Sequence, residues 1–180
     1  EEGWIEEAGI EPELVQFQNG PAMVQALLAG QLDVAYFGIG PAMVARARGA
    51  DIKVVASNIV EQISILTLGE LTPYFDGDHK TAFARFAEDK GHKPVITTFP
   101  TGSVPETVLQ YWLRNQLQID PDQIEIVFQG AAQVQQALLT GAVDGAAILE
   151  PIVSIVTARL DDAAVVASGS ELFPNQPGAV

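Results

Sequence analysis

A chain of 180 residues with 48% hydrophobic content is long enough to bury a core, either as one large domain or as two small lobes. Its 23 acidic and 9 basic side chains give a net charge of −14, which repels phosphate backbones and anionic lipid and argues against a nucleic-acid partner. The sequence has no cysteine, which excludes disulfides and thiolate chemistry, and no apolar run approaches the roughly 18 residues of a membrane helix.

Short apolar runs alternate with amphipathic helical patterns along the chain. This alternation is typical of βαβ units and predicts an α/β fold with mostly parallel sheets. In chain order, the predicted strands are 13–17, 33–37, 52–56, 63–68, 94–99, 124–128, 145–149 and 164–167. The predicted helices are 21–29, 41–48, 80–90, 103–117, 132–139 and 151–159.

An internal repeat appears when the chain is shifted so that Gln25 meets Gln136. The block QALLAGQLD from Gln25 matches QALLTGAVD from Gln136, and KVVAS from Lys53 matches AVVAS from Ala164. Because both copies keep the same order of elements, the repeat predicts two similar lobes, each with a mostly parallel sheet flanked by helices. The second copy is preceded by a strand and a long helix. The sequence therefore predicts that the first lobe's opening strand lies upstream of Glu1 and that the chain is truncated at both ends.

The predicted organisation has four parts. Residues 1–60 form a partial first lobe, 61–92 a hinge crossing, a loop and a connecting helix, 93–168 the second lobe, and 169–180 the start of a return crossing. Two strand-like crossings between lobes make a hinge, which permits closure around a ligand.

Candidate ligand-contacting residues lie where strands end and helices begin, because open parallel sheets bind ligands beyond the carboxyl ends of their strands. The turn Thr101 to Ser103 could hold an anion with backbone N–H groups and the positive end of the helix dipole. An ordinary capping box between Ser103 and Glu106 is the structural alternative. The candidate residues are Phe37, Gly38, Gln62, Thr101, Gly102, Ser103, Gly130 and Glu150.

Three of these candidates depend on their place in the repeat. Phe37 and Gly38 form the turn of the first copy, where a small residue lets the backbone approach a ligand. Glu150 stands at the equivalent place in the second copy, where its carboxylate could accept a proton from a ligand or could simply favour the helix dipole. The Gly38-x-Gly40 pair alone is a weak signal, because a dinucleotide fingerprint also needs a third glycine and a later acid on the ribose, so a Rossmann site is not predicted.

Nothing in the sequence predicts catalysis, a metal site or a cofactor. His79 and His92, the two histidines, lie in a polar stretch and are predicted to be solvated. Ser103 stands in no G-x-S-x-G elbow and has no nearby histidine to activate it.

The order of these motifs resembles the periplasmic solute-binding proteins of ABC importers for nitrate, bicarbonate, taurine and aliphatic sulfonates. The matching stretches are Leu-x-x-Gly-x-x-Asp33, Gly38-x-x-Pro41, GADIKVVA from Gly49, Thr101-Gly-Ser103 and AILEP from Ala147. The resemblance implies a type II periplasmic-binding fold and a monomeric receptor that holds a small, anionic molecule in a cleft and delivers it to a membrane permease. It also implies a periplasmic or extracellular location, with a lipid anchor outside this chain as one option.

Two other classes share this architecture. Enzymes or binders of thiamine-pyrimidine precursors look similar, but the synthases rely on cysteine and histidine clusters that this sequence lacks. The ligand-sensing domain of a transcription regulator would carry its DNA-binding helices upstream of Glu1, and the acidic charge argues against it. The sequence therefore favours a binding protein over an enzyme.

Overall fold

The computed structural model describes residues 3–180, and its helices lie close to the predicted ones. They are α1 (Trp4–Glu7), α2 (Gly20–Leu28), α3 (Ile39–Ala47), α4 (His79–Lys90), α5 (Val104–Tyr111), α6 (Ala131–Leu139) and α7 (Ile152–Thr157). The predicted helix 103–117 is continuous, since α5 runs on as a wider π-helical segment, Trp112–Leu117. Within residues 3–180, no helix combines the length and the hydropathy that crossing a bilayer requires.

The strands are β1 (Ile59–Val60), β2 (Ser64–Thr67), β3 (Val95–Thr98), β4 (Glu125–Phe128), β5 (Gly145–Ile148), β6 (Ala164–Ser168) and β7 (Pro177–Ala179). Five of them form the sheet of the second lobe, in the order β4-β3-β5-β2-β6. Strand β3 is parallel to β4 and β5, whereas β2 is antiparallel to β5 and β6. The predicted α/β class is confirmed. The sheet of the second lobe is mixed, because β2 runs against the other four strands, which share one direction.

The second lobe is larger than the sequence predicts. Residues 61–92 were expected to connect the lobes, but β2 lies inside the sheet and α4 packs against it. Ile65, Leu71 and Phe83 from this stretch are fully buried in the core of the second lobe. The repeat could not reveal this, because β2 runs against the other strands and falls between the two copies.

The first lobe differs from the prediction of a parallel sheet. Within the described chain, the predicted strands 13–17, 33–37 and 52–56 run without regular strand pairing. A strand needs a hydrogen-bonded neighbour, and in the second lobe β3 lies between β4 and β5 as that neighbour. No described residue takes the corresponding place in the first lobe. Apolar side chains of these segments are consequently exposed, by 86% at Leu14, 79% at Val34 and 88% at Val55.

Two short segments cross between the lobes, and they pair with each other. Strand β1 pairs antiparallel with β7, with Ile59 opposite Ala179. Beyond β7, Val180 exchanges two backbone hydrogen bonds with Phe37 of the first lobe, at 2.9 and 3.1 Å. Strand β7 therefore joins the first lobe to the crossing.

The core of the second lobe supports a stability prediction. Phe83 is fully buried and meets the Trp112 ring edge to face, with centroids 6.1 Å apart. Phe83→Ala should lower the free energy of unfolding by about 3–5 kcal/mol, because it leaves a cavity in a packed core. The control Val55→Ala, at an exposed side chain, should change it by less than about 0.5 kcal/mol. Urea denaturation measures both, and similar losses would contradict this description of the core.

Candidate functional site

A cleft of about 490 Å³ lies between the lobes, within the size range of small-molecule sites. The starts of α2 and α3 form its wall in the first lobe, and the starts of α5, α6 and α7 form its wall in the second. Its lining includes four aromatic rings and five side-chain amides. The rings belong to Phe17, Tyr36, Phe37 and Phe99, and the amides to Gln16, Gln18, Asn19, Gln62 and Gln135.

The predicted site residues fall in three places. Lining the cleft are Phe37, Gly38, Gln62, Ser103 and Glu150. Thr101 and Gly102 face a neighbouring cavity of about 410 Å³ between α2 and α3. Gly130 is the N-cap of α6, at the edge of the cleft beside Gln18. Their contact with a ligand stays a prediction.

The turn from Pro100 to Ser103 uses its polar groups internally. Ser103 Oγ accepts a hydrogen bond from the N–H of Glu106 at 3.4 Å, and Glu106 Oε2 accepts one from the N–H of Gly102 at 3.2 Å. The N–H of Ser103 donates to the carbonyl of Pro100 at 3.0 Å. Ser103 is also only 2% exposed. Ser103 is thus an N-cap, but the reciprocal half of the capping box is shifted by one residue, because Glu106 accepts from Gly102 and not from Ser103. These bonds occupy backbone donors that an anion at this turn would need.

Removing this cap gives a direct measure of its structural role. Ser103→Ala should lower the free energy of unfolding by about 0.5–2 kcal/mol, because the N–H of Glu106 loses its acceptor. Ser154→Ala is the matched control, since Ser154 is exposed near the start of α7. Thermal or urea unfolding measures both. No loss for Ser103→Ala beyond that of the control would show that the hydroxyl does not cap α5.

The Gly38-x-Gly40 turn brings the lobes together. A Cβ at Gly38 would lie 2.5 Å from Cγ2 of Val104, and one at Gly40 would lie 3.0 Å from the carbonyl oxygen of Gly102. Both glycines are therefore needed for close packing of α3 against the start of α5. The close approach of the lobes is thus one reason for the missing side chains, and contact of Gly38 with a ligand stays a prediction.

The cleft carries little positive potential. Glu150 is the only charged side chain among its lining residues, and its Oε2 accepts from the N–H of Ser154 at 3.0 Å. Pro41 and Pro105 lie in the first turns of α3 and α5, where they remove N–H groups that an anion could use. A ligand's negative charge would therefore rely on amide donors and helix dipoles alone.

The surface ion pairs lie away from the cleft. Lys90 donates to Glu70 at 2.7 Å, and this hydrogen bond is the main cause that lowers the pKa of Glu70 and raises the pKa of Lys90. Arg46 approaches Asp51 at 3.4 Å on the first lobe. None of these four residues lines the cleft, so they leave the Glu150 carboxylate as its only formal charge.

Both histidines pack against aromatic rings outside the cleft. The His79 ring lies 5.2 Å from that of Phe75, and the His92 ring 5.6 Å from that of Phe86. Over residues 3–180, His, Asp and Glu side chains form no group of three or more that could hold a metal ion.

Several lining residues are not among the candidates that the sequence predicts. Phe99 directly follows β3, so the strand-end rule used for Thr101 could have found it. Phe17 and Gln18 stand in the repeat opposite Phe128 and Gln129, a signal that marks the end of a predicted strand in both copies.

Comparison with known proteins agrees with this architecture. The chain belongs to the NMT1-like family, whose model matches residues 1–180. A relative from Brucella abortus (strain 2308), described only as a binding protein, is 26% identical over 176 residues, which is 98% of this chain and 50% of the relative. The chain thus spans about half the length of the curated relatives that it matches.

Solved structures show the same fold. The ligand-binding component of an ABC-type import system from Staphylococcus aureus, with zinc bound, matches with a TM-score of 0.71 and 24% identity, covering 93% of this chain and 53% of its own. The aliphatic sulphonate binding protein SsuA from Escherichia coli matches with a TM-score of 0.68 and 24% identity, and the match covers 92% of this chain and 52% of SsuA. The nitrate-binding protein NrtA from Synechocystis PCC 6803 matches with a TM-score of 0.67 and 17% identity, and the match covers 93% of this chain and 46% of NrtA. The predicted resemblance to importer binding proteins is confirmed at the level of the fold.

Proposed function

We propose that this chain forms the ligand-holding cleft of the solute-binding component of an ABC importer. The observation that carries the proposal is a cleft of small-molecule size between two lobes, which the crossing strands β1 and β7 connect. Family membership and the structural neighbours support it. The whole protein would capture a small molecule in the periplasm or outside the cell, as a monomer, and deliver it to a membrane permease.

Binding without chemistry is the role that the lining supports. The lining residues offer rings for apolar contact and amides for hydrogen bonds, but they include no histidine, lysine or arginine. Ser103 in the lining therefore has no histidine or lysine beside it to activate it as a nucleophile. The one carboxylate that could act as a general base, that of Glu150, already accepts a hydrogen bond from the N–H of Ser154. The lobes would instead close on the ligand and exclude water, which strengthens each polar contact in the cleft.

For the ligand, the lining supports an organic anion with an apolar part more than a bare inorganic anion. Side-chain amides such as those of Gln16, Gln62 and Gln135 can donate to a sulfonate or carboxylate group. The rings of Phe17 and Phe37 offer apolar contact to carbon atoms. Glu150 would then accept from an amino group, so an aminosulfonate such as taurine matches all three features.

A thermal-shift panel tests the binding function. We expect an organic sulfonate or taurine at about 100-fold its Kd to stabilise the protein by about 2.7 kcal/mol, because a ligand that binds only the folded state shifts unfolding. Nitrate, bicarbonate and thiamine-pyrimidine precursors complete the panel. No stabilisation by any of them, together with turnover of one, would contradict the proposal. Selective stabilisation by a pyrimidine would keep the binding function and replace the ligand class.

Neutralising Glu150 tests the ligand's amino group. Glu150→Gln keeps the side-chain shape, so taurine should bind about tenfold more weakly while an alkylsulfonate without an amine binds equally or more tightly. Glu125→Gln, at an exposed position of β4 outside the cleft, is the charge-matched control. Isothermal titration calorimetry gives the affinities. Equal losses for both ligands would show that Glu150 does not contact the amine.

A further inference from the structure

The two equivalent helices of the repeat, α2 and α6, are capped in different ways. In the first lobe, Asn19 is the N-cap of α2, and its Oδ1 accepts from the N–H of Ala22 at 2.9 Å. In the second lobe, the N-cap of α6 is Gly130, which has no side chain to accept a hydrogen bond. The sequence explains the difference, because the position of Asn19 in the first copy is taken by Gly130 in the second. Helix α6 therefore lacks a cap of its own.

The missing cap comes from the first lobe. The N–H of Ala131 donates to the backbone carbonyl of Gln18 at 3.2 Å, and the N–H of Ala132 donates to its side-chain Oε1 at 3.3 Å. Two of the N–H groups that the start of a helix leaves without an intrahelical partner are thus satisfied by one residue of the other lobe.

The glycine that leaves α6 uncapped also makes room for Gln18. A Cβ at Gly130 would lie 3.0 Å from Cβ of Gln18 and 2.9 Å from Oε1 of Gln133. Any larger residue at this position would push Gln18 away. The missing side chain at Gly130 therefore both leaves α6 without a cap of its own and permits the contact with Gln18.

We propose that Gln18 is an interlobe latch, which caps α6 and favours the closed cleft before a ligand binds. This inference rests on the proposed function of a closing clamp. The two hydrogen bonds join different lobes, so they break when the lobes separate, whereas the β1–β7 pairing belongs to the crossing itself. A helix cap shifts an equilibrium by about fivefold, so the latch biases the opening equilibrium without locking it.

The latch also affects ligand entry. Gln18 and Ala132 both line the cleft, so the helix start that Gln18 caps is not available to a ligand while the latch is closed. If a ligand enters only when the lobes are open, an intact latch lowers the population of the open state that the ligand can enter. Gln18 is therefore a positioning residue that sets how often the empty cleft opens.

Two variants separate the latch from the cap. Gln18→Ala removes the side-chain acceptor at an exposed position that lies outside the core. Gly130→Asn gives α6 an N-cap side chain within its own lobe, and its Cβ displaces Gln18. The backbone of Gly130, at φ −78° and ψ 167°, is in the extended region that asparagine adopts as an N-cap. Gln129→Ala is the matched control, because Oε1 of Gln129 accepts from Thr97 inside the second lobe.

Two measurements on the ligand-free protein test the proposal. Amide hydrogen exchange of Ala131 and Ala132 reports the cap. Distances between spin labels at Gln31→Cys and Gln136→Cys, introduced into a sequence without native cysteine, report opening. Gln18→Ala should raise the exchange rate of the Ala132 amide about fivefold and shift the distances to larger values. Gly130→Asn should open the lobes while the first turn of α6 stays protected, and Gln129→Ala should change neither.

Closed distances retained in both Gln18→Ala and Gly130→Asn would overturn the latch. Faster exchange with unchanged distances in Gln18→Ala would also overturn it, by showing a cap that does not bias closure. Circular dichroism establishes that each variant is folded. If Gln18→Ala is destabilised, the distances can still be measured in Gly130→Asn, because that variant keeps α6 capped. Since neither measurement uses a ligand, an unsuccessful ligand screen leaves this result intact.

Discussion

Backbone pairing along β7 determines how the two lobes meet. One edge of β7 pairs with β1, and beyond it Val180 exchanges hydrogen bonds with Phe37 of the first lobe. This places the Gly38 turn against Val104 at the start of α5, where the missing Cβ permits contact. The cleft is the space left beside this contact. In the second lobe its wall consists of helix starts because β3, β4 and β5 are each followed directly by a helix, α5, α6 and α7 respectively.

The elements of the second lobe could be predicted because each one carries its own signal. Apolar runs at β3, β4, β5 and β6 and the long amphipathic pattern of α5 match the structure to within about two residues, which is the usual uncertainty of element ends. The place of β2 could not be predicted. Periodicity identifies a strand but says nothing of its neighbours, and β2 is assigned to the sheet only by its antiparallel partners β5 and β6.

In the first lobe, by contrast, the sequence predicts strands that the structure does not pair. Its segments 13–17 and 33–37 have the composition of strands. Composition alone does not form a sheet, because every strand needs backbone hydrogen bonds to a neighbouring strand. Side chains such as Leu14 and Val34 are exposed for the same reason. The repeat relates these segments to β4 and β5, and the strand between those two in the second lobe, β3, is the partner that the described first lobe lacks.

At the cleft, sequence reasoning named turns that the structure places in or beside the lining, but it did not show what their polar groups do. Ser103 was identified from its position before a helix, and only the structure shows that its hydroxyl and its N–H already have partners. Gly130 was identified as a turn glycine, while its importance lies in the approach of Gln18 from the other lobe. The start of a helix has only a few free N–H donors. A donor that forms a hydrogen bond to the other lobe is not available to a ligand. Closure and recognition in this cleft therefore draw on the same set of backbone N–H groups, which leaves side-chain amides, aromatic rings and Glu150 as the groups that can distinguish one ligand from another.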